Sequence, residues 1–303
     1  MDYILTTNAL TKTFGKYKAS NEISIHVNRG DIYGLIGRNG AGKTTLMKML
    51  GGLSHPTSGS FEIRGKNGEN TEKMMPKVGI LIENPGLYPN MTAMQNLKTK
   101  ALALGIKDDN YLQGLLKEVG LDNTGKKKAK QFSLGMKQRL GIALALVNQP
   151  ELMILDEPIN GLDPQGIAEM RQILTHLCND RGITIIISSH ILDELSKVAT
   201  RYGIIHEGKL LEEDSKEELF NKCSERLELK TSDLERTLSI LQTMGFQNFE
   251  VKDDTINIYE RINEGGAITV ALAKENIQTN EIGVKSEALE DYYFQLTGGK
   301  ENV

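Results

Sequence analysis

Ile32-Tyr33-Gly34-Leu35-Ile36-Gly37-Arg38-Asn39-Gly40-Ala41-Gly42-Lys43-Thr44-Thr45 is the stretch that decides the fold of this chain. It opens as an apolar run of strand length, breaks into glycines, and continues into a helix whose Leu46, Met49, Leu50 and Leu53 fall on one face. Gly37 to Thr44 fits G-x-x-x-x-G-K-[ST] in the setting that the motif needs, after a strand and at the start of a helix. The glycines let backbone N–H groups turn inward around phosphate oxygens. Lys43 brings a cation to them, the Thr44 hydroxyl suits Mg²⁺, and the helix N-terminus adds partial positive charge. Gly37, Asn39, Gly40, Ala41, Gly42, Lys43, Thr44 and Thr45 form the expected phosphate-binding set. A chance glycine turn would not require this strand-to-helix context.

Outward from the loop, a second apolar strand, Leu152-Met153-Ile154-Leu155, ends in Asp156-Glu157. Behind a phosphate loop, Asp156 suits holding the magnesium ion through water and Glu157 suits polarising an attacking water as general base. Another strand, Thr184 to Ile187, follows a helix carrying Ile167, Met170, Ile173, Leu174 and Leu177 on one face. Strands alternating with helices predict an α/β fold with a mostly parallel sheet. Residues 1 to about 30 alternate apolar and polar positions as antiparallel strands do, and a helical insertion spans about 84–148. There Thr92 can cap one helix, Tyr111, Leu112, Leu115, Leu116 and Val119 stripe another, and Gly120 can end it. After Asp214 the order becomes βαββαβ with a last helix around Leu289 to Leu296, which predicts a small α+β accessory domain over 215–303 behind a first domain over 1–214.

The 303 residues suffice for such a core and an annex, and a net charge of −4 gives no bulk signal for nucleic acid. Cys178 and Cys223 lack metal spacing and read as reduced, buried thiols. The opening residues lack a signal-peptide pattern, and the apolar runs fall short of the roughly 20 residues that span a bilayer.

Phe132-Ser133-Leu134-Gly135-Met136-Lys137-Gln138-Arg139 lies just ahead of the Asp156-Glu157 strand, and His190 follows the next strand. This order resembles the ATP-binding subunits of ABC transporters over about residues 4–214. The resemblance implies a P-loop NTPase cassette with a mixed sheet core and a helical subdomain. By that likeness Ser133 and Gly135 match the signature loop, and Asn160-Gly161-Leu162-Asp163 matches the D-loop. Ser188-Ser189-His190 matches the switch-histidine loop, and Phe14 the aromatic that stacks on adenine. It further implies ATP and Mg²⁺ as ligands, with Lys43, Glu157, His190 and Glu83 as the catalytic set and Thr44, Glu83 and Asp156 at the metal. It implies a homodimer in which the Ser133 turn of one copy meets the γ-phosphate held by the other, with Asp163 at the seam. Ser133 can also cap the following helix, and Asp163-Pro164 fits an N-cap with a first-turn proline, so both residues have structural readings.

One position departs from the family pattern: Glu83 stands where glutamine is usual, and its extra charge needs the metal or Lys43 to offset it. Glutamate here, Ser133-Leu134-Gly135-Met136-Lys137, the segment Ile82 to Gly86 and the ending Leu289 to Phe294 resemble exporters that protect bacteria from lantibiotic peptides and bacitracin. The resemblance implies an ATPase that works with integral membrane permease subunits and reaches the cytoplasmic face of the cell membrane only through them. A generic exporter ATPase of other substrate and a permease-free soluble ABC ATPase are the competing readings, as is a regulator that uses ATP merely to dimerise. The chain has one cassette and no room for a long coiled coil, which counts against ribosome and chromosome roles. Lys126-Lys127-Lys128-Ala129-Lys130 reads as a solvated loop rather than a nucleic-acid patch. Met74, Met75, Met91 and Met94 flank the Glu83 loop and suit either a soft partner groove or core filling. The terminal Tyr292, Tyr293, Phe294 and Leu296 share a helix with Ala288 and Leu289 that packs back onto the annex.

Overall fold

Buried apolar runs dictate the centre of the molecule. In the computed structural model, which describes residues 2–65, 77–223, 225–286 and 289–298, the runs at β4 (Ile32–Ile36), β7 (Leu152–Asp156) and β8 (Thr184–Ser189) are buried at every position. Strands covered on both faces form parallel sheets. These three join β6 (Val78–Leu81), β9 (Arg201–His206) and β10 (Lys209–Ser215) in the order β10-β9-β4-β8-β7-β6, with β10 alone antiparallel. A second, antiparallel sheet is built on β1 (Tyr3–Phe14), which pairs with β2 (Tyr17–Ile23), β3 (His26–Asn28) and β5 (Ser58–Ile63). One core joins Ile23, Ile25 and Val27 of the antiparallel part to Leu35, Ile154 and Ile186 of the parallel sheet.

The helix α1 (Lys43–Leu50) adds Leu46, Met47, Met49 and Leu50 to that core. Leu53 does not belong to this face: the helix stops at Leu50 with Gly51 as its C-cap, and Leu53 is 62 % exposed. Glu213 on β10 ties the two sheets together. It accepts the His26 backbone N–H and the Tyr33 hydroxyl, and it stands 2.9 Å from His26 Nδ1. Burial, with the Glu213 charge behind it, pushes the Tyr33 phenol well above its usual value.

The helical insertion begins with α2 (Ala93–Ala103), for which Thr92 and Gln95 form a reciprocal capping box. Helix α3 (Asp109–Glu118) follows, capped by Asp108, with Leu112, Leu115 and Leu116 buried and the Tyr111 hydroxyl donating to Leu146 O. Helix α4 (Leu134–Leu146) then lies against β6 and the segment after it. Gly141 makes this approach possible, since a β-carbon there would stand 2.7 Å from Pro85 Cβ. Behind the parallel sheet run α5 (Pro164–Asn179) and the short α6 (Leu192–Ser196). Cys178 and Cys223 are buried, and neither is in a disulfide among the described residues. Strands β5, β9 and β10 were not anticipated from the sequence. Among the described residues no helix is long and apolar enough to cross a membrane.

The chain divides into two compact units, Met1–Lys216 and Glu217–Val303, two residues beyond the compositional shift at Asp214. A short helix α7 (Lys216–Lys222) spans the junction. The second unit runs β11 (Glu225–Thr231), α8 (Leu234–Thr243), β12 (Phe249–Lys252), β13 (Thr255–Ile258), α9 (Gly265–Lys274), β14 (Thr279–Ser286) and α10 (Leu289–Leu296). Its antiparallel sheet has the order β12-β13-β11-β14, a split βαβ arrangement. Alternate residues Leu227, Leu229, Ile256 and Ile258 face the helices and pack with Leu241, Ile268 and Leu272. Glu228 points to the other face, where Lys285 Nζ lies 2.7 Å away and Arg226 Nη2 3.0 Å. In α10, Leu289 and Tyr293 are buried. Met74, Met75 and Ala288 lie outside the described residues.

Candidate nucleotide-binding site

The phosphate loop leaves β4 and enters α1 between two walls, and contact explains its first and last glycines, Gly37 and Gly42. Gly42 has φ +107, and a β-carbon there would stand 2.3 Å from Ala19 O on β2. At Gly37 the same atom would stand 2.6 Å from Ile205 O on β9. The turn between β9 and β10 closes the cradle, for Gly208 N donates to Ala41 O and Asn21 N donates to Gly208 O. Ala19, Asn21 and Gly208 are contributors that sequence reasoning missed. The available signal was the Glu207-Gly208 turn between two apolar runs.

Lys43 is buried inside this cradle. Its ammonium donates to Gly37 O at 2.6 Å and to Arg38 O at 3.3 Å, and it stands 3.5 Å from Glu157 Oε1. A buried cation held by loop carbonyls is a preformed counter-charge for phosphate. Beside it, the Thr44 hydroxyl donates to Asp156 Oδ2 at 2.8 Å. Two hard oxygens this close fit a magnesium ion whose remaining positions are filled by phosphate and water oxygens. Thr44 and Asp156 would hold the ion there, and when bound it would neutralise charge on the phosphates.

Ser188, buried at the end of β8, completes the arrangement. Its hydroxyl donates to Asp156 Oδ1 at 2.6 Å and accepts the Glu157 backbone N–H at 2.9 Å. Glu157 itself sits at φ +50, a left-handed backbone that costs a non-glycine residue about 1 kcal/mol or more. That turn separates the two acids. Asp156 faces Thr44, while Glu157 Oε2 meets His190 Nδ1 at 2.8 Å. Glu157 Oε1 is buried and accepts no hydrogen bond among the described residues, which leaves a lone pair for a water proton.

Glu83 follows β6 at φ +61, and its carboxylate pairs with Lys48 Nζ at 2.5 Å. The expectation that the metal or Lys43 must offset its charge is therefore corrected, since Lys48 does so from α1. Lys48 lies one helical turn from Thr44 and on the same face. This brings the Glu83 carboxylate to the side of α1 that carries the Thr44 hydroxyl.

Ser133, Gly135 and Asp163 form a second cluster. Ser133 Oγ accepts Met136 N at 3.2 Å and caps α4, while Asp163 Oδ1 accepts Gly166 N at 2.8 Å and caps α5. The two helix starts touch: a β-carbon at Gly161 would stand 3.1 Å from Leu134 Cδ2, and Leu162 reaches the Gly135 position. Among the described residues no hydrogen bond links Ser133, Gly135 or Asp163 to the phosphate loop. Leu134 is 47 % exposed, so the free α4 N-terminus faces outward.

Phe14, at the tip of the β1–β2 hairpin, is 56 % exposed with Lys12 Nζ 5.4 Å from its ring centre. An open aromatic face suits base stacking. The same hairpin supplies Ala19 against Gly42, so aromatic and phosphate loop share one wall. The lysine run at 126–130 is tied through its backbone to the loop before α2, Ala129 N donating to Met91 O and Lys130 N to Pro89 O.

Residues 20–160 match the family described as ABC transporter. The bacitracin transport ATP-binding protein BcrA of Bacillus licheniformis is 44 % identical over 302 residues, 99 % of each chain. The lantibiotic transport ATP-binding protein SrtF of Streptococcus pyogenes is 46 % identical over 224 residues, 72 % of this chain and 96 % of its own. Among solved structures, CbiO1 from Clostridium perfringens, part of the ABC transporter complex CbiONQ, superposes with a TM-score of 0.67 at 28 % identity. That match covers 73 % of this chain and 92 % of CbiO1.

Proposed function

Since the chain belongs to the ABC transporter family of ATP-binding proteins, we propose that it hydrolyses MgATP between two copies of itself and thereby powers a separate membrane permease. The cargo is an antimicrobial peptide or antibiotic of the bacitracin and lantibiotic kind, a reading supported by the full-length likeness to a bacitracin transport subunit. The observation that carries the hydrolytic reading is the continuous network Thr44–Asp156–Ser188–Glu157–His190 with Lys43 facing Glu157.

Each residue then has a task. Phe14 stacks on adenine, and the phosphate loop N–H groups with Lys43 hold the β- and γ-phosphates. Thr44, Asp156 and Glu83 line the metal position. Glu157 Oε1 takes the proton as the water oxygen attacks the γ-phosphorus and the bond to the β-phosphate oxygen breaks, leaving ADP and phosphate. His190 holds Glu157 Oε2 and faces the leaving phosphate. Ser133 and Gly135 of the second copy close over the γ-phosphate with an outward helix N-terminus, an anion site that a single copy does not complete.

The permease side is served by a groove of about 500 Å³ between the segment after β6 and helices α2 and α4. It begins beside Glu83, so a docked permease segment touches the loop that flanks the metal. In this reading the protein sits peripherally on the cytoplasmic face of the membrane, held there by its permease.

Co-expression with the permease tests the proposal. The chain should sediment with membranes only when the permease is present, and the pair should raise the bacitracin or lantibiotic concentration a sensitive cell tolerates. Lys43→Ala should abolish both ATP hydrolysis and that protection. Protection that survives Lys43→Ala would overturn the reading.

A further inference from the structure

Among the described residues, the groove beside Glu83 is charged at a single point. Its walls are apolar or neutral, with Ile80, Ile82, Pro85, Tyr88 and Leu144 among them, and Lys100 is the one described charged side chain that lines it. Lys100 projects from the last turn of α2, and burial pushes its ammonium below the usual lysine range.

Nothing nearby among the described residues answers that charge. Asn96 is spent on its own loop, its Oδ1 accepting Tyr88 N and its Nδ2 donating to Tyr88 O and Thr92 O. The Thr99 hydroxyl donates to Gln95 O. Among the described residues no carboxylate stands within ion-pair distance of Lys100, whereas Lys98 on the same helix has Asp109 at 2.6 Å and Lys48 has Glu83. A half-desolvated cation with no counter-ion costs stability. It repays that cost when a partner brings an anion into the same low-dielectric groove. The rim adds apolar surface, with Tyr88 51 % and Leu53 62 % exposed.

We propose that Lys100 selects the partner of this groove by pairing with a carboxylate on a segment of the permease whose apolar side chains fill the remaining volume. The proposal rests on the transporter reading given above. It names Lys100 as the residue that decides which segment docks.

The test uses the full chain co-expressed and purified with its permease. Lys100→Glu should lower the co-purified permease at least about tenfold, as expected when like charges meet in a desolvated interface. Lys100→Arg should retain it. Lys100→Met, which keeps the stem and removes the charge, should give an intermediate loss. ATP hydrolysis by each isolated variant should match the parent, which separates docking from misfolding. Leu53→Cys should cross-link to the permease segment, and exchanging that segment's acidic residue for lysine should rescue Lys100→Glu. Wild-type levels of permease with Lys100→Glu and Lys100→Met would overturn the pairing while leaving the transporter reading intact. A cross-link from Leu53 to a second copy of this chain would also overturn it. Failure of the parent chain to co-purify with the permease would overturn both.

Discussion

Ser188 holds the nucleotide site in register while carrying no charge of its own. Its hydroxyl donates to Asp156, the proposed metal ligand, and fixes the strained Glu157 backbone. Ser188→Ala should therefore lower kcat about 10- to 100-fold, as loss of a supporting partner does. The ATP dissociation constant should stay within a few-fold, measured by nucleotide titration beside steady-state hydrolysis. Unchanged kcat would remove Ser188 from that role. The motif residues around it were legible because Gly37 to Thr44 and Asp156-Glu157 are contiguous in sequence, and each short string states its chemistry. Lys48, Asn21 and Gly208 were not, because their partners arrive through tertiary folding. A lysine on a helix or a glycine in a turn is an ordinary residue until Glu83 or Ala41 comes up beside it.

At the scale of elements, periodicity exposed the buried strands and the capped helices well. The capping box at Thr92 and the Ser133 and Asp163 caps are local chemistry, readable within four residues. Edge strands were harder. Ser58–Ile63 is mostly exposed or half-buried, and Lys209–Ser215 holds only Leu210 and Leu211 among charged and polar residues, so neither carries the apolar signal of a central strand. The extent of α1 was also misread, because Gly51-Gly52 ends the helix before Leu53 can join its face. In the annex, the link between β11 and β14 yields a pH prediction. Hydrogen bonding from Lys285, then from Arg226, holds the Glu228 carboxyl below its usual value of 4.5. A depressed carboxyl stabilises the fold in full above that value and loses its contribution as pH falls through the folded pKa. The melting temperature of the second unit should fall as pH drops below 4.5. Glu228→Gln should flatten this dependence while lowering the melting temperature at pH 7 by no more than a few degrees, as exposed pairs do. Calorimetry across pH checks it, and an identical slope in the variant would assign the acid sensitivity to other carboxyls.

For the whole molecule, the two clusters of the first unit make the copy number a prediction. With Glu157→Gln, the water loses its base but the phosphate loop and the α4 N-terminus stay intact. Hydrolysis should fall by a factor of about 10² or more. The variant should elute as a dimer when loaded with MgATP and as a monomer with MgADP. Adding Ser133→Ala should abolish the ATP-held dimer and lower the stability of α4 by about 1 kcal/mol through loss of its cap. A monomer with bound MgATP in Glu157→Gln would sink the two-copy arrangement. The change of composition near Asp214 lies two residues before the boundary between the two compact units, whereas composition carries no trace of the proposed second copy. The contact between Leu134 and the Gly161-Leu162 turn carries one more consequence. In the proposed two-copy arrangement only a few residues separate Glu157, which would serve its own ATP, from Gly161 and Leu162, which meet Leu134 and Gly135 of the loop that would serve the neighbour's. Loading of one pocket should then be felt in the other through a single short turn, so the velocity against ATP concentration should rise sigmoidally, with a Hill coefficient above unity.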